Sequence, residues 1–317
     1  MGLIGKSLVV TLGLLTAGVV RMKHEQEFTE DLRERRLAPP ALDIAAWNQM
    51  GQSSLAGTFG GLRSAMAFFT SLSAHSHFED QEWYELKKDY EVITSLDPYN
   101  SFYWSSGGGH LAYNAASWAR SQRDQPAEQR LSIEREYLES GDAFLREGLR
   151  YLPEDHELWA EIARIWSHRL KRPDPERALE AWEKAAELSK NPIYERRRFY
   201  TLAQIKGRER EALDLGIEML KEDPRHRHIP TFRVVLWALY QNPELPFEMR
   251  KPMITEIFGT KKKAYRELYA YYFRVQDEGF YGGNIKADLG QLIIDLKVPF
   301  HYNPFLSPRQ RRIPVDW

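Results

Sequence analysis

The sequence predicts an all-α chain built of antiparallel helix pairs stacked one on the next. Two observations carry that prediction. Apolar residues recur at three- and four-residue steps through most of the chain, the period of an amphipathic helix. Breakers then divide those helices into pairs, with Pro98, Pro153, Pro192 and Pro224 lying 55, 39 and 32 residues apart. The clearest pair runs from His156 to Pro192. Trp159, Ile162, Ala163 and Trp166 mark its first helix, and Ala178, Trp182 and Ala185 mark its second, after a turn at Pro173 to Pro175. Alanine at the contact lets the two helices approach, and the indoles fill what remains. One such pair cannot bury its own apolar face, so it implies neighbours.

Composition narrows the field. At 317 residues the chain suffices for one extended stack or two compact domains. Hydrophobic residues at 43% and charged residues at 28% suit a folded protein. A formal charge of −1 gives no global attraction to nucleic acid. The chain has no cysteine, which excludes disulfides, thiolate metal sites and a cysteine nucleophile.

Taken in order, residues 1–21 form an expected signal anchor, uncharged from Ser7 to Val20 after Lys6. At about 1.5 Å per residue this core falls short of a ~30 Å hydrocarbon layer. Leu3 and Ile4 extend it if Lys6 snorkels to the interface. No A-x-A site follows, so a retained anchor is expected. Arg21, Lys23, Arg33, Arg35 and Arg36 follow it and run against an external C-terminus, but acidic neighbours neutralise that flank. The expected location is the bacterial inner membrane, single-pass, with a periplasmic C-terminal domain. Residues 22–58 are an expected helical stalk or linker, broken at Pro39 and Pro40.

Residues 59–225 carry the stacked pairs. A helix from Leu62 to about Ser76 has Ala65, Phe68, Phe69 and Leu72 on one face, and its partner, Asp80 to Ser95, has Trp83, Leu86, Tyr90 and Ile93. The next pair is Phe102 to Trp118 and Ile133 to Tyr151, separated by a polar insert from Ser121 to Ser132 that predicts a long turn. After the pair at His156 comes a degenerate one, Tyr194 to Asp223. Residues 226–298 are an expected helical cap that covers the open end of a stack. The tail, 299–317, has four prolines and no period, and is expected to lie as an extended arm on the surface or on a partner.

The pair at His156 resembles a tetratricopeptide repeat, whose pattern runs W-x2-L-G-x2-Y, then A-x3-F-x2-A, then proline. Here the matching residues are Trp159-x2-Ile162-Ala163-x2-Trp166, Ala178-x3-Trp182-x2-Ala185 and Pro192. Longer runs are similar to a group of membrane-anchored bacterial tetratricopeptide proteins: Gly60-Gly61-Leu62-Arg63, Trp83-Tyr84-Glu85-Leu86, Leu111-Ala112-Tyr113-Asn114 and Gly148-Leu149-Arg150-Tyr151-Leu152-Pro153. This resemblance covers about residues 57 to 225. It implies a right-handed superhelix that binds a peptide or partner helix on the concave face lined by each first helix.

The groove positions so implied include Phe102, Ser105, Ala112, Tyr113, Asn114, Glu157, Ala160, Arg164, His168, Tyr194, Arg197 and Thr201. A subclass of these repeats clamps a C-terminal carboxylate with lysine, asparagine and arginine. Its positions here hold Ser105, Gly109, Glu157 and Glu161, and two glutamates repel a carboxylate, so that subclass is rejected. Arg196, Arg197, Arg198, Arg225 and Arg227 form a candidate patch for an anionic partner or for lipid headgroups, against the plainer account of a solvated face. Asn114 has a local turn as its plainer partner, and Arg63 is expected to pack its stem rather than hold an anion. Gly107-Gly108-Gly109-His110 invites an oxyanion-hole reading, but no G-x-S-x-G elbow accompanies it, and close helix packing accounts for the glycines. His75-x-His77 and His226-x-His228 lack a third metal ligand. The expected function is therefore a non-enzymatic scaffold without cofactor, metal or nucleic acid. It is tethered to the membrane by residues 1–21 and binds a protein or peptide partner of the envelope. The alternative is an envelope or secretion-assembly subunit that uses its outer surface and C-terminal cap.

Overall fold

The computed structural model describes residues 28, 30–35, 63–168, 172–242, 252–278 and 281–314. The expected anchor and most of the expected stalk lie outside them, and no helix among the described residues is long and apolar enough to cross a membrane. Thirteen α-helices lie between Arg63 and Leu296, residues 30–34 are also helical, and the described residues contain no strand. The chain is all-α, and its helices pack in pairs.

The first pair is α1 (Arg63–Glu79) and α2 (Trp83–Leu96). α2 buries Trp83, Leu86, Tyr90 and Ile93, the residues its periodicity picks out. α1 differs from expectation: it buries Ala67 and Ala74, and leaves Phe68, Phe69 and Leu72 more than half exposed. Two small residues seven apart bring α1 close to α2, which turns the larger apolar face outward. Arg63 fastens the far end of the pair, its guanidinium donating to the Ser95 carbonyl at 2.6 Å.

The second pair is longer. α3 (Ser101–Gly109) continues through a π-helical turn (His110–Ala115) into α4 (Ala116–Ser121), and α5 (Ala127–Tyr151) returns. The predicted long turn from Ser121 to Ser132 is corrected here. The loop is only residues 122–126, and the polar residues from Ala127 onward are the exposed first turns of a 25-residue helix. A run of Glu, Gln, Arg and Leu has good helix propensity, and it lacked only an apolar stripe to announce itself. Two glycines set the spacing of α3 and α5. A Cβ on Gly148 would lie 2.7 Å from the Trp104 ring, and one on Gly141 would lie 2.8 Å from both the Gly108 carbonyl oxygen and the Ala112 Cβ.

The third pair is α6 (His156–Ser167) and α7 (Pro175–Leu188), and the fourth is α8 (Pro192–Leu202) and α9 (Glu209–Glu222). Each helix packs on its successor, and α3 also touches α6. Asn100, Asp155 and Asn191 cap the first helices α3, α6 and α8 through side-chain oxygens that accept from backbone N–H groups. The breakers that punctuate the sequence are thus also start signals. Three buried indoles are satisfied within the stack: Trp104 donates to the Pro98 carbonyl at 2.8 Å, Trp166 to Asp142 at 2.8 Å and Trp182 to Ser167 at 3.1 Å. Trp159, in register with Trp104, is only half-buried, beneath the Arg146 guanidinium.

A 3-10 turn (Pro224–His228) leads to the cap: α10 (Pro230–Tyr240), α11 (Ile254–Phe258), α12 (Lys261–Glu278) and α13 (Ile285–Leu296). Its core is contiguous with α8 and α9 and is rich in Phe and Tyr. The tail does not wait for a partner as far as it is described, to residue 314. It lies on α12, where the hydroxyl of Tyr265 donates to the Tyr302 carbonyl at 2.6 Å and that of Tyr269 to the Arg312 carbonyl at 3.0 Å.

Candidate partner-binding face

The first helices α3, α6 and α8 carry a connected strip of polar side chains. On α6, Glu157, Glu161 and Arg164 fall at three- and four-residue steps and so share a face. The Arg164 guanidinium donates to Glu161 at 2.5 Å and to Glu157 at 3.4 Å. Toward α8, the Tyr194 hydroxyl donates to Glu157 at 2.6 Å, and its ring lies 5.7 Å from that of His156. Toward α3, Tyr113 on the π turn faces His168 with ring centroids 6.4 Å apart. The strip holds two carboxylates against one guanidinium, so its local balance is acidic.

Ionisation follows from these contacts. The Tyr194 hydroxyl is pushed up to about 12, first by burial and then by its bond to Glu157. The same bond, with help from Arg164, holds the Glu157 carboxyl below the ordinary carboxylate range. Burial, reinforced by Glu161 and opposed by Arg164, also pushes the Tyr113 phenol up. Both phenols are therefore neutral at physiological pH, and that of Tyr194, 3% exposed, already donates to Glu157.

The expected groove residues divide on this evidence. Arg164 and Tyr113 are half-buried on the strip, while His168 and Asn114 are exposed beside it. Phe102 is 67% exposed at the start of α3, with Ser105 half-buried one turn later. Asn114 turns back to the helix, donating to His110 Nδ1 at 3.1 Å, which matches its plainer local account. Arg197 is exposed on α8, but Thr201 is 6% exposed and cannot meet a partner directly. Ala112 and Ala160 are wholly buried and form floor, not surface. Glu157, Glu161 and Tyr194 connect the strip, and their signal in the sequence was position alone. No motif distinguishes them from other charged and aromatic residues.

The expected arginine patch is weaker than its composition. Arg198 turns to Glu183 and Glu195, at 3.4 Å and 3.7 Å. Arg225 is paired to Asp223 at 2.9 Å, and that contact holds the Asp223 carboxyl down at about 2. Arg196 lowers the pKa of His226, although burial lowers it more. His226 is buried against Phe232 with ring centroids 5.1 Å apart, and so turns away from His228's exposed position.

Around His110, the rings of Phe78 and Tyr90 lie 4.7 Å and 5.6 Å away, and burial followed by His75 pushes the imidazole down. Gly107 and Gly108 are the close-packing residues expected, each set against a side chain of α5. His75 and His77 diverge, His75 toward Glu79 at 3.5 Å and His77 toward Asp89 at 2.8 Å. Among the described residues no three His, Asp or Glu side chains are grouped to hold a metal. No protein-family model matches the chain, and no curated protein matches it significantly.

Proposed function

We propose that the chain is a non-enzymatic, membrane-tethered scaffold of tetratricopeptide type, and that it holds a peptide or partner helix across α3, α6 and α8. The observation that supports this best is the strip from Tyr113 through Arg164 and Glu157 to Tyr194. It runs across three successive first helices and sets the half-buried Tyr113 phenol and Arg164 beside two carboxylates, over a buried Tyr194 that braces Glu157. Such a surface offers hydrogen bonds and flat aromatic area to an extended segment. Its two carboxylates favour a segment with a lysine or arginine near the centre over one ending in a carboxylate. In this reading residues 1–21 anchor the chain in a bacterial inner membrane, with the helix pairs in the periplasm.

The test is a photo-crosslinking amino acid placed at Phe102 or His168 in the full chain in cells, compared with one at Lys184 on α7. A shared adduct at the first two positions, absent at Lys184 and weakened by Arg164→Glu, is the expected result. Adducts at Lys184 and on the cap alone would instead favour an envelope-assembly subunit. That second reading has its own support in the exposed Ile294 of the cap and Phe300 and Ile313 of the tail.

A further inference from the structure

The C-terminal arm does more than cover α12. Between them lies a cavity of about 460 Å³, lined by Arg266, Tyr269, Ala270 and Phe273 of α12 and by Pro308, Arg311, Ile313 and Pro314 of the arm. That volume falls within the roughly 300–1,000 Å³ typical of small-molecule sites. The walls are aromatic and aliphatic, and the charged residues among these are both arginines. No carboxylate among the described residues pairs with either arginine. One of the two is already oriented, since the Arg311 guanidinium lies 4.0 Å over the Phe273 ring. Stacking holds the plane of a guanidinium and leaves its N–H edge open to a planar anion. The walls are also fixed in advance, because the Tyr269 hydroxyl is spent on the Arg312 carbonyl and presents only its ring. A preformed, largely apolar cavity whose lining includes two arginines, one of them with its guanidinium stacked on Phe273, matches one kind of ligand in shape and charge.

We propose that this cavity binds a small amphipathic carboxylate, with its carboxylate on Arg266 and Arg311 and an alkyl or aryl body against Tyr269, Phe273 and Ile313. A planar monoanion accepts from an arginine fork through both oxygens. A doubly charged phosphate would give up more hydration against these apolar walls. The site is remote in sequence from the strip on α3, α6 and α8 and is independent of the scaffold reading.

The test is calorimetric titration of the full chain with 4-phenylbutyrate and decanoate, beside the neutral analogues 4-phenylbutanamide and decanol. At least one acid is expected to bind, and about tenfold or more tighter than its neutral analogue, the loss expected for one charge-assisted hydrogen bond. Arg311→Gln and Arg266→Gln should each weaken the acid by a similar factor, and Ala270→Trp should abolish binding by filling the cavity. Circular dichroism verifies that each variant is folded. Competition by oleate-doped vesicles would trace the same chemistry to a membrane fatty acid, and its absence would trace it to a soluble acid. Equal binding of acid and neutral analogue, binding that survives all three substitutions, or no binding by either acid would overturn the proposal.

Discussion

The helix pairs and the cap each bury a charged side chain, and they do so in opposite ways. In the stack one such charge is Asp142 on α5, which is 4% exposed; the wholly buried Glu134 of the same helix is met by Arg120 at 3.3 Å. Asp142 accepts from the Trp166 indole at 2.8 Å and from Arg146 at 2.9 Å, and Arg177 lies 3.6 Å away while stacking over the Trp166 ring. In the cap the buried charge is Arg233 on α10, 5% exposed, held by Glu267 through both carboxylate oxygens and by the Arg227 carbonyl. One carboxylate has two donors, from α5 and α6, and a further cation from α7. One guanidinium has a single anion among the described residues. The first arrangement is redundant and the second is not, so the two sites differ in how far one substitution can damage them.

The strongest way to expose that difference is Glu267→Ala. It strands a buried guanidinium, and removing one partner of a buried pair costs about 3–5 kcal/mol. Arg146→Ala, by contrast, leaves Asp142 the Trp166 indole and the Arg177 charge 3.6 Å away, and is expected to cost about 1 kcal/mol, the scale of one hydrogen bond. Denaturant unfolding of the two variants checks both values, and equal losses would show that Asp142 is no more redundantly held than Arg233.

Packing supplies the next contrast. Gly141→Ala forces a Cβ toward backbone at 2.8 Å, where no flexible side chain can yield. Overpacking of that kind costs about 1–3 kcal/mol. In a stack whose units touch mainly their neighbours, the damage should stay local. Hydrogen exchange is expected to show lost protection on α3 and α5, with α10 and α12 retained. Loss spread evenly over all helices would mean that stack and cap unfold as one unit.

The same contrast explains what could be read from the sequence. Alanine, glycine and tryptophan at helical spacing announced the pairs, because close approach and large fillers leave a composition that periodicity detects. The pair boundaries were legible for the same reason, since Asn100, Asp155 and Asn191 beside proline are both caps and breakers. The length of α5 was not, because its first turns are exposed and polar and carry no stripe. Nor was the outward turn of Phe68, Phe69 and Leu72, which depends on which face two alanines choose. Tyr113, Arg164 and His168 were placed on the candidate face by counting along a helix. Thr201 was misplaced by that count, and the bonds joining Glu157 to Tyr194 required the packing of α6 on α8. The cavity at Arg311 joins residues about forty apart through the course of an irregular arm, which no period encodes.

That arm gives a smaller test. Tyr269→Phe removes one hydroxyl that holds it, and a single neutral hydrogen bond is worth about 1 kcal/mol. The expected outcome is faster proteolysis near Pro308 with little change in global unfolding. A large fall in global stability would make the arm part of the cap's core.

The smallest effect is one of sign. Asp288, which accepts from the Trp237 indole at 2.9 Å, has its carboxyl pushed up by burial, while Glu157 has its carboxyl held down by the Tyr194 hydroxyl. A raised carboxyl opposes folding while it is ionised, and that penalty fades as pH falls through the raised value. A depressed carboxyl adds stability above its ordinary range, and that stability is lost as pH falls through the depressed value. Asp288→Asn keeps an acceptor for Trp237 and removes the desolvated charge. It should therefore stabilise the chain at neutral pH, by an amount that shrinks toward zero on acidification. Glu157→Gln should do the reverse, costing stability at neutral pH and progressively less below the usual carboxylate range. Thermal melts of both variants from pH 7 downward measure the two slopes. Slopes of the same sign would mean that Asp288 is stabilised as an anion by Trp237 more than burial opposes it, and that the cap and the strip hold their carboxylates alike.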